Sequence, residues 1–210
     1  MNQKTVRAYI SFFGLVTENA IALICIRYPS TANPVDNSTM NTRWKPSATV
    51  AAIIEQDGKF LLVEEHTPEG LRLNNPAGHL DEGESPVMAC ARETLEETMY
   101  LFTPTHLLGV YLSRFKRPAH HHRPAEDVTY LRFAFCGQLG AIQTGRNLDK
   151  GIVRTLWLTP EQMRASAERH RSPLILQCME DYLSGQRYPL AVVHTDPSVA
   201  LLQPNAGAAT

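Results

Sequence analysis

Apolar positions along the chain fall in short runs broken by turn residues, and longer stretches repeat every three or four positions. Ala48–Glu55 (ATVAAIIE) and Lys59–Glu65 (KFLLVEE) are two such runs, separated by Gln56, Asp57 and Gly58. Runs of this length rich in β-branched residues read as strands, and an Asp-Gly pair between them reads as a hairpin turn. Further strands are expected at Leu71–Asn74, Leu107–Phe115, Val128–Gln138 and Ile152–Leu158. Asn75-Pro76-Ala77-Gly78 reads as a breaker and Asp81–Glu84 as an acidic loop. A helix is expected from Pro86 to about Thr98, with Ser85 as its N-cap and proline at the first helical position. A second helix opens at Thr159, whose spacing to Gln162 is that of a capping box. A third follows Ser172-Pro173 and is ended by Gly185. Strands and helices are mixed along the chain, which predicts an α/β (α+β) fold with a sheet packed between helices. The domain is expected over residues 40–195, with a flexible tail over 196–210.

The first 39 residues do not share this pattern. Residues 8–26 are mostly apolar and follow Lys4 and Arg7, as in a signal peptide or a membrane anchor. Glu18 and Asn19 interrupt the stretch, and no small-residue cleavage site is evident. A polar, Pro- and Asn-rich linker follows over 29–39. Three readings stay open: an extension that is poorly ordered or not native, a signal or anchor, and a helix packed on the domain. Residues 1–39 are expected to be dispensable for catalysis.

Composition narrows the function. The 210 residues are 43% hydrophobic and 20% charged, enough apolar side chain for a core. The formal net charge of -1 argues against a nucleic-acid binder, which would usually be basic. None of the 4 cysteines forms a C-x-x-C pair, so neither a zinc ribbon nor a disulfide framework is expected. A reducing, cytoplasmic setting is the simpler reading, with no membrane partner for the domain.

The chemistry concentrates in Gly78–Tyr100. At 100° per residue, Glu93, Glu96 and Glu97 fall on one arc of the helix. Glu93 is i,i+4 to Glu97 and i,i+3 to Glu96, spacings at which like charges repel. The helix C-terminus disfavours them further. Arg92 is expected to offset one glutamate. A solvated acidic face is the common fate of such a pattern. A hard-cation site is the alternative, since three carboxylates on one face suit Mg²⁺, or Mn²⁺ in its place.

The spacing G-x5-E-x7-R-E-x2-E-E through Gly78, Glu84, Arg92, Glu93, Glu96 and Glu97 separates the two readings. Six fixed positions match a chain this long by chance about once in 10⁵ tries. The segment resembles the signature box of the Nudix hydrolases. Two positions depart from it: Thr94 stands where an apolar residue is usual, and Met99 where a glycine usually ends the helix. Thr94 is expected to be a tolerable packing change. Met99 is not expected to adopt a positive φ cheaply, so a reshaped helix end is expected. The likeness extends to Trp44-Lys45-Pro46, Pro76–Leu80, Leu131-Arg132-Phe133, Arg171–Leu174 and Ser184–Leu190, as in bacterial phosphatases of the family.

The resemblance implies an α/β/α sandwich with a mixed β-sheet. It implies Mg²⁺-dependent hydrolysis of nucleoside tri- and diphosphates and of hydroxymethylpyrimidine pyrophosphate, a thiamine precursor, with release of orthophosphate. By position, Glu96, Glu97 and the Gly78 carbonyl would be metal ligands. Glu93 would be a ligand or the base that activates water. Glu84 would support the metal shell, and Arg92 would hold a box glutamate. ADP-ribose or dinucleoside polyphosphates are alternative substrates, and a silent ligand-binding domain is a third reading. The retained glutamates argue against the last. A monomer or homodimer acting on a small phosphate anhydride is expected, and no P-loop is present.

Outside the box, Arg132 alternates with Leu131 and Phe133 and so points to the other strand face, where a substrate role and a structural one are balanced. Arg123 and His121 lie in a loop with His120, His122 and Arg117 and are candidates for substrate phosphates. Asp149, Glu126 and Asp127 are candidate carboxylates, each more usual as ordinary surface. Trp157 and Tyr188 are aromatic groups able to stack a base or pack at a rim.

Overall fold

The structure, a computed structural model, describes residues 43–119 and 124–202. Chain contacts divide the protein into the units Met1–Arg43 and Trp44–Thr210. The elements below all belong to the second unit, and the expectations for 1–39 lie outside the described residues.

The first apolar run is two strands rather than one. Strand β1 is Ser47–Ile53 and β2 is Glu55–Gln56, and they belong to different sheets. Val50–Ile54 are buried on both sides, so the chain crosses between the sheets through its driest segment. Strand β3 is Lys59–Thr67, and Gln56 pairs with Lys59 across a two-residue loop. Asp57 and Gly58 have φ of 52° and 75°, the pair of positive angles that a type I′ hairpin requires.

Strand β4 (Gly70–Asn74) and β8 (Ile152–Leu158) flank β3 in the second sheet. The first sheet has the order β5-β1-β7-β6-β9, with β5 Ala77–His79, β6 Tyr100–Arg117, β7 Glu126–Ile142 and β9 Tyr188–Pro189. β1 and β7 are parallel, and the other pairs in this sheet are antiparallel. β5 forms inside the expected breaker, because Pro76 contributes only its carbonyl, which accepts from the Ala52 N–H (2.9 Å). β6 and β7 run well beyond the expected limits. Register shifts near Tyr100, Pro104 and Leu107 break strict alternation, and Pro104 stands at one of these irregularities.

Helix α1 is Pro86–Thr98, α2 is Pro160–Ala165 and α3 is Leu174–Leu183. Ser85 caps α1 by accepting from the Met88 N–H, and Thr159 with Gln162 makes the capping box of α2. Ala89 and Cys90 of α1 pack on Val50, Ala52, Ile54, Leu61, Phe102 and Phe135. Met163 of α2 and Ile175, Cys178 and Met179 of α3 pack on Ile53, Phe60, Leu62, Leu108 and Ala134. Each large apolar side chain buried this way contributes about 1.5–3 kcal/mol. Helices thus cover both faces of a mixed β architecture, the α/β/α arrangement expected. Pro197–Leu202 form a 3-10 helix within the stretch expected to be a flexible tail. Among the described residues no helix is long and apolar enough to cross a membrane.

Candidate active site

Helix α1 aims its last two turns at β5. Thr94 is fully buried, and its hydroxyl donates to the Cys90 carbonyl (2.7 Å), so the departure from an apolar residue is satisfied within the helix. Met99 corrects the expectation of a reshaped end. It adopts the left-handed conformation at φ 63°, and its N–H donates to the Leu95 carbonyl (2.9 Å), closing the helix as a glycine would. The Met99 carbonyl in turn accepts from Gln143 (2.7 Å), so the strained residue is held from both sides.

The carboxylates that follow from this geometry are not solvated. Glu97 is 8% exposed, and its Oε2 accepts from the Ala77 N–H (2.8 Å). The Glu93 carboxyl lies directly over Gly78, where any Cβ would overlap it. Arg92 donates twice to Glu84 (3.0 and 2.7 Å) and once each to Glu93 (2.9 Å), Glu96 (2.9 Å) and the His79 carbonyl (3.1 Å). The expectation that Arg92 offsets one glutamate is therefore too small: it joins three. Glu84 also accepts from the Asp81 N–H (2.9 Å), tying the acidic loop to the helix.

Burial and neighbouring acids disfavour the ionised forms of Glu93 and Glu97. Burial, and then the charges of Glu65, Glu93 and Asp149, push the Glu97 carboxyl up to about 8 against the Ala77 hydrogen bond. Burial also raises Glu93; Arg92 opposes this, and Glu96 and Asp149 add to it. Glu84 is lowered, chiefly by the Arg92 hydrogen bond. Asp149 is brought to this cluster by its N–H, which donates to the Glu96 carbonyl (3.0 Å).

Glu65 was not singled out in the sequence. It is buried on β3, with Oε2 paired to Arg171 and Oε1 left without a partner among the described residues. The available cue was the pair Glu64-Glu65 at the end of an apolar strand. Adjacent strand residues face opposite sides, so one of two acids in a covered strand must face each layer. Glu64 is also buried and is paired with Arg154 (2.7 Å) and Arg169.

The donor set suits a hard divalent cation: carboxylate oxygens of Glu93, Glu96 and Glu97 and the Gly78 carbonyl, with Glu97 held above its ordinary range by burial and then by neighbouring acids. Among the described residues no group of three or more His, Cys, Asp or Glu side chains is gathered to enclose an ion. Arg92 takes one oxygen each of Glu93 and Glu96, and the Ala77 N–H takes one oxygen of Glu97, which leaves the second oxygen of each carboxylate for a cation.

Of the remaining candidates, Arg132 is brought near the cluster. Its charge is felt with those of Glu65, Glu97 and Arg171, and its Nε and Nη1 are buried without partners among the described residues. Arg123 and His121 lie outside the described residues. Glu126 and Asp127 pair with Arg117 (2.8 Å) and Arg114 (2.6 Å) along the β6–β7 hairpin. Trp157 packs against the α1-side core, and Tyr188 is exposed on β9.

A mixed sheet between helices, with an Arg-Glu-x-x-Glu-Glu helix laid against a glycine strand, defines a class of hydrolases. Residues 44–178 match the family model described as the NUDIX domain, and the chain belongs to the Nudix family, whose enzymes hydrolyse phosphoric anhydrides. It is 37% identical to Phosphatase NudJ of Escherichia coli (strain K12) over 151 residues, 71% of this chain and 92% of that protein. The same name and identity apply to a protein of Shigella flexneri. Among solved structures, a NUDIX hydrolase from Nitrosomonas europaea is 47% identical, with a TM-score of 0.64 over 72% of this chain and 98% of the other. A UDP-X diphosphatase, at 23% identity and TM-score 0.50 over 70% and 67% of the two chains, shares the fold.

Proposed function

We propose that the protein is a Mg²⁺-dependent phosphatase, with Mn²⁺ able to substitute, that releases orthophosphate from nucleoside tri- and diphosphates and from hydroxymethylpyrimidine pyrophosphate. The observation that carries the cation requirement is the buried Glu97 carboxyl, pushed up to about 8 among Glu65, Glu93 and Asp149. The phosphatase reading is supported by the 37% identity to a protein named Phosphatase NudJ. A bound divalent ion supplies charge neutralisation of the anhydride and a more acidic water. Glu96, Glu97 and the Gly78 carbonyl are its ligands in this reading. Glu93 joins them or takes a proton from water, a task favoured by a carboxyl that burial raises above its ordinary value. Arg92 and Glu84 hold the box in place through their paired hydrogen bonds. A cytoplasmic setting is supported by Cys90, Cys136 and Cys178, which are free and buried.

The test is a time course of GTP hydrolysis in Mg²⁺, resolved by ion-exchange chromatography. GDP and orthophosphate should appear before GMP. Direct formation of GMP with pyrophosphate would reject the phosphatase assignment and leave the family standing.

A further inference from the structure

The sheet face that looks toward α3 carries polar atoms that nothing among the described residues satisfies. Thr49 and Arg132 are direct partners across the parallel β1–β7 pair, and Tyr111 of β6 is the partner of Arg132 on its other side. Residues opposite one another in neighbouring strands share a face. Ile53 and Ala134, two-residue steps from these positions, pack with Cys178 of α3, whereas Val50 and Phe133 lie with the α1 core. Thr49 Oγ1 and Arg132 Nε and Nη1 are buried on that face without hydrogen-bond partners. Of the neighbouring groups, the Tyr111 hydroxyl donates to Asp181 (2.8 Å) and Arg171 is held by Glu65 Oε2, while Glu65 Oε1 is itself without a partner among the described residues.

A buried guanidinium with dry donors is costly unless an anion completes it. Burial first, and Arg171 as well, act to lower the pKa of Arg132. Cys178, Glu65 and Glu97 act in the opposite sense, and Nε and Nη1 are nevertheless left without a hydrogen-bond partner among the described residues. Its planar fork matches a phosphate through paired N–H bonds, and a threonine hydroxyl beside it adds a further donor.

We infer that Arg132 and Thr49 form a seat for the terminal phosphoryl group of the substrate, the group that leaves as orthophosphate. The inference rests on the phosphatase reading above and adds which end of the substrate is gripped. The donors lie on the sheet face toward α3, and in this inference they hold the terminal phosphoryl alone, with base and sugar outside the seat. The reacting anhydride then lies toward Glu97, whose charge reaches Arg132. A water oxygen bonds to the terminal phosphorus and the bridging P–O bond breaks. The nucleoside diphosphate departs with the bridging oxygen, the water proton passes to base or solvent, and orthophosphate remains on the seat. Recognition of this end alone admits any substrate with a terminal phosphoanhydride.

The experiment is calorimetric titration of inorganic phosphate into the Mg²⁺-loaded full chain, for wild type, Arg132→Met and Thr49→Val. The wild type should bind phosphate. Arg132→Met should bind at least tenfold more weakly, about 1.4 kcal/mol, and Thr49→Val several-fold more weakly. Without phosphate, Arg132→Met should melt no lower than wild type, because a buried unpaired charge gives way to an apolar chain of similar length. Equal phosphate affinity in wild type and both variants, absence of binding by wild type, or loss of stability in Arg132→Met would each overturn the seat. If Arg132→Met fails to fold, that counts as such a loss. None of these readouts needs turnover, so failure of the seat and failure of the GTP time course are separable.

Discussion

Glu97 is the side chain at which burial and charge conflict most openly. Its carboxyl in the folded, metal-free chain is pushed up to about 8, while an unfolded glutamate has an ordinary value near 4.5. Folding then favours the protonated form. The contribution of Glu97 to the stability of the metal-free protein is highest below about pH 4.5 and declines as pH rises toward about 8, where the ionised carboxyl must stay buried. Glu97→Gln should remove that decline, so its metal-free melting temperature should exceed that of wild type at pH 8 and the difference should shrink toward pH 5. The Mg²⁺-induced rise in melting temperature should be large in wild type at pH 8 and small in the variant, with most phosphate release lost. Equal Mg²⁺ shifts and full activity in Glu97→Gln would remove Glu97 from the site. Much of this site was legible in the sequence, because the helical period alone places Glu93, Glu96 and Glu97 on one arc. Glu65 was not legible, since its inward turn depends on which faces of β3 are covered. Nor was the reach of Arg92, which takes Glu84 from a loop whose path no periodicity describes.

At the scale of elements, α1 ends on a strained residue. A left-handed conformation costs a non-glycine residue on the order of 1–2 kcal/mol, and Met99 adopts it at φ 63°. Met99→Gly should relieve this strain, offset in part by the flexibility glycine adds to the unfolded chain. A net gain of about 0.5–1 kcal/mol is expected in urea unfolding, with no change in the Mg²⁺ dependence of activity. A loss would mean that the half-buried Met99 side chain contributes more by packing than its backbone costs. Caps were the most legible features, because Ser85, Pro86, Thr159 and Gln162 act within one turn of chain. Strand limits were the least legible. Pro104 reads locally as a breaker, yet it sits within β6 at a register shift, where a missing N–H is tolerated.

Across the whole molecule, Glu64 fastens the second sheet to the chain that follows it. It is buried on β3 and pairs with Arg154 on β8 and Arg169 in the turn after α2. The Arg154 hydrogen bond, against burial, holds its carboxyl below the ordinary value. The stabilisation is therefore present above about pH 4.5 and is lost as pH falls through the folded value. Both arginines are largely exposed, which screens the pair. Glu64→Gln should cost about 1–3 kcal/mol at pH 7, and the gap to wild type should close in melts taken below pH 4. A gap that persists in acid would show that packing, not charge, holds this corner. The fold class was readable from alternating strands and helices. The division into two sheets at Ile54 was not, because β1 and β3 are equally apolar and nothing local tells which neighbour each will find.

The crossing at Ile54 and the parallel pairing of β1 also set a timetable. Ser47 must find Tyr130, and Phe60 must find Leu158. At ~5–20 residues per second of synthesis, Ser47 is made roughly 4 to 17 s before its partner exists. The hairpins β2–β3 and β3–β4 close locally in that interval, and β5 is available to one edge of β1, but the edge that takes β7 stays unpaired. A ribosome-bound chain therefore leaves one edge of an apolar strand open until β7 emerges. The demand for chaperone protection is written into the order in which the strands are made.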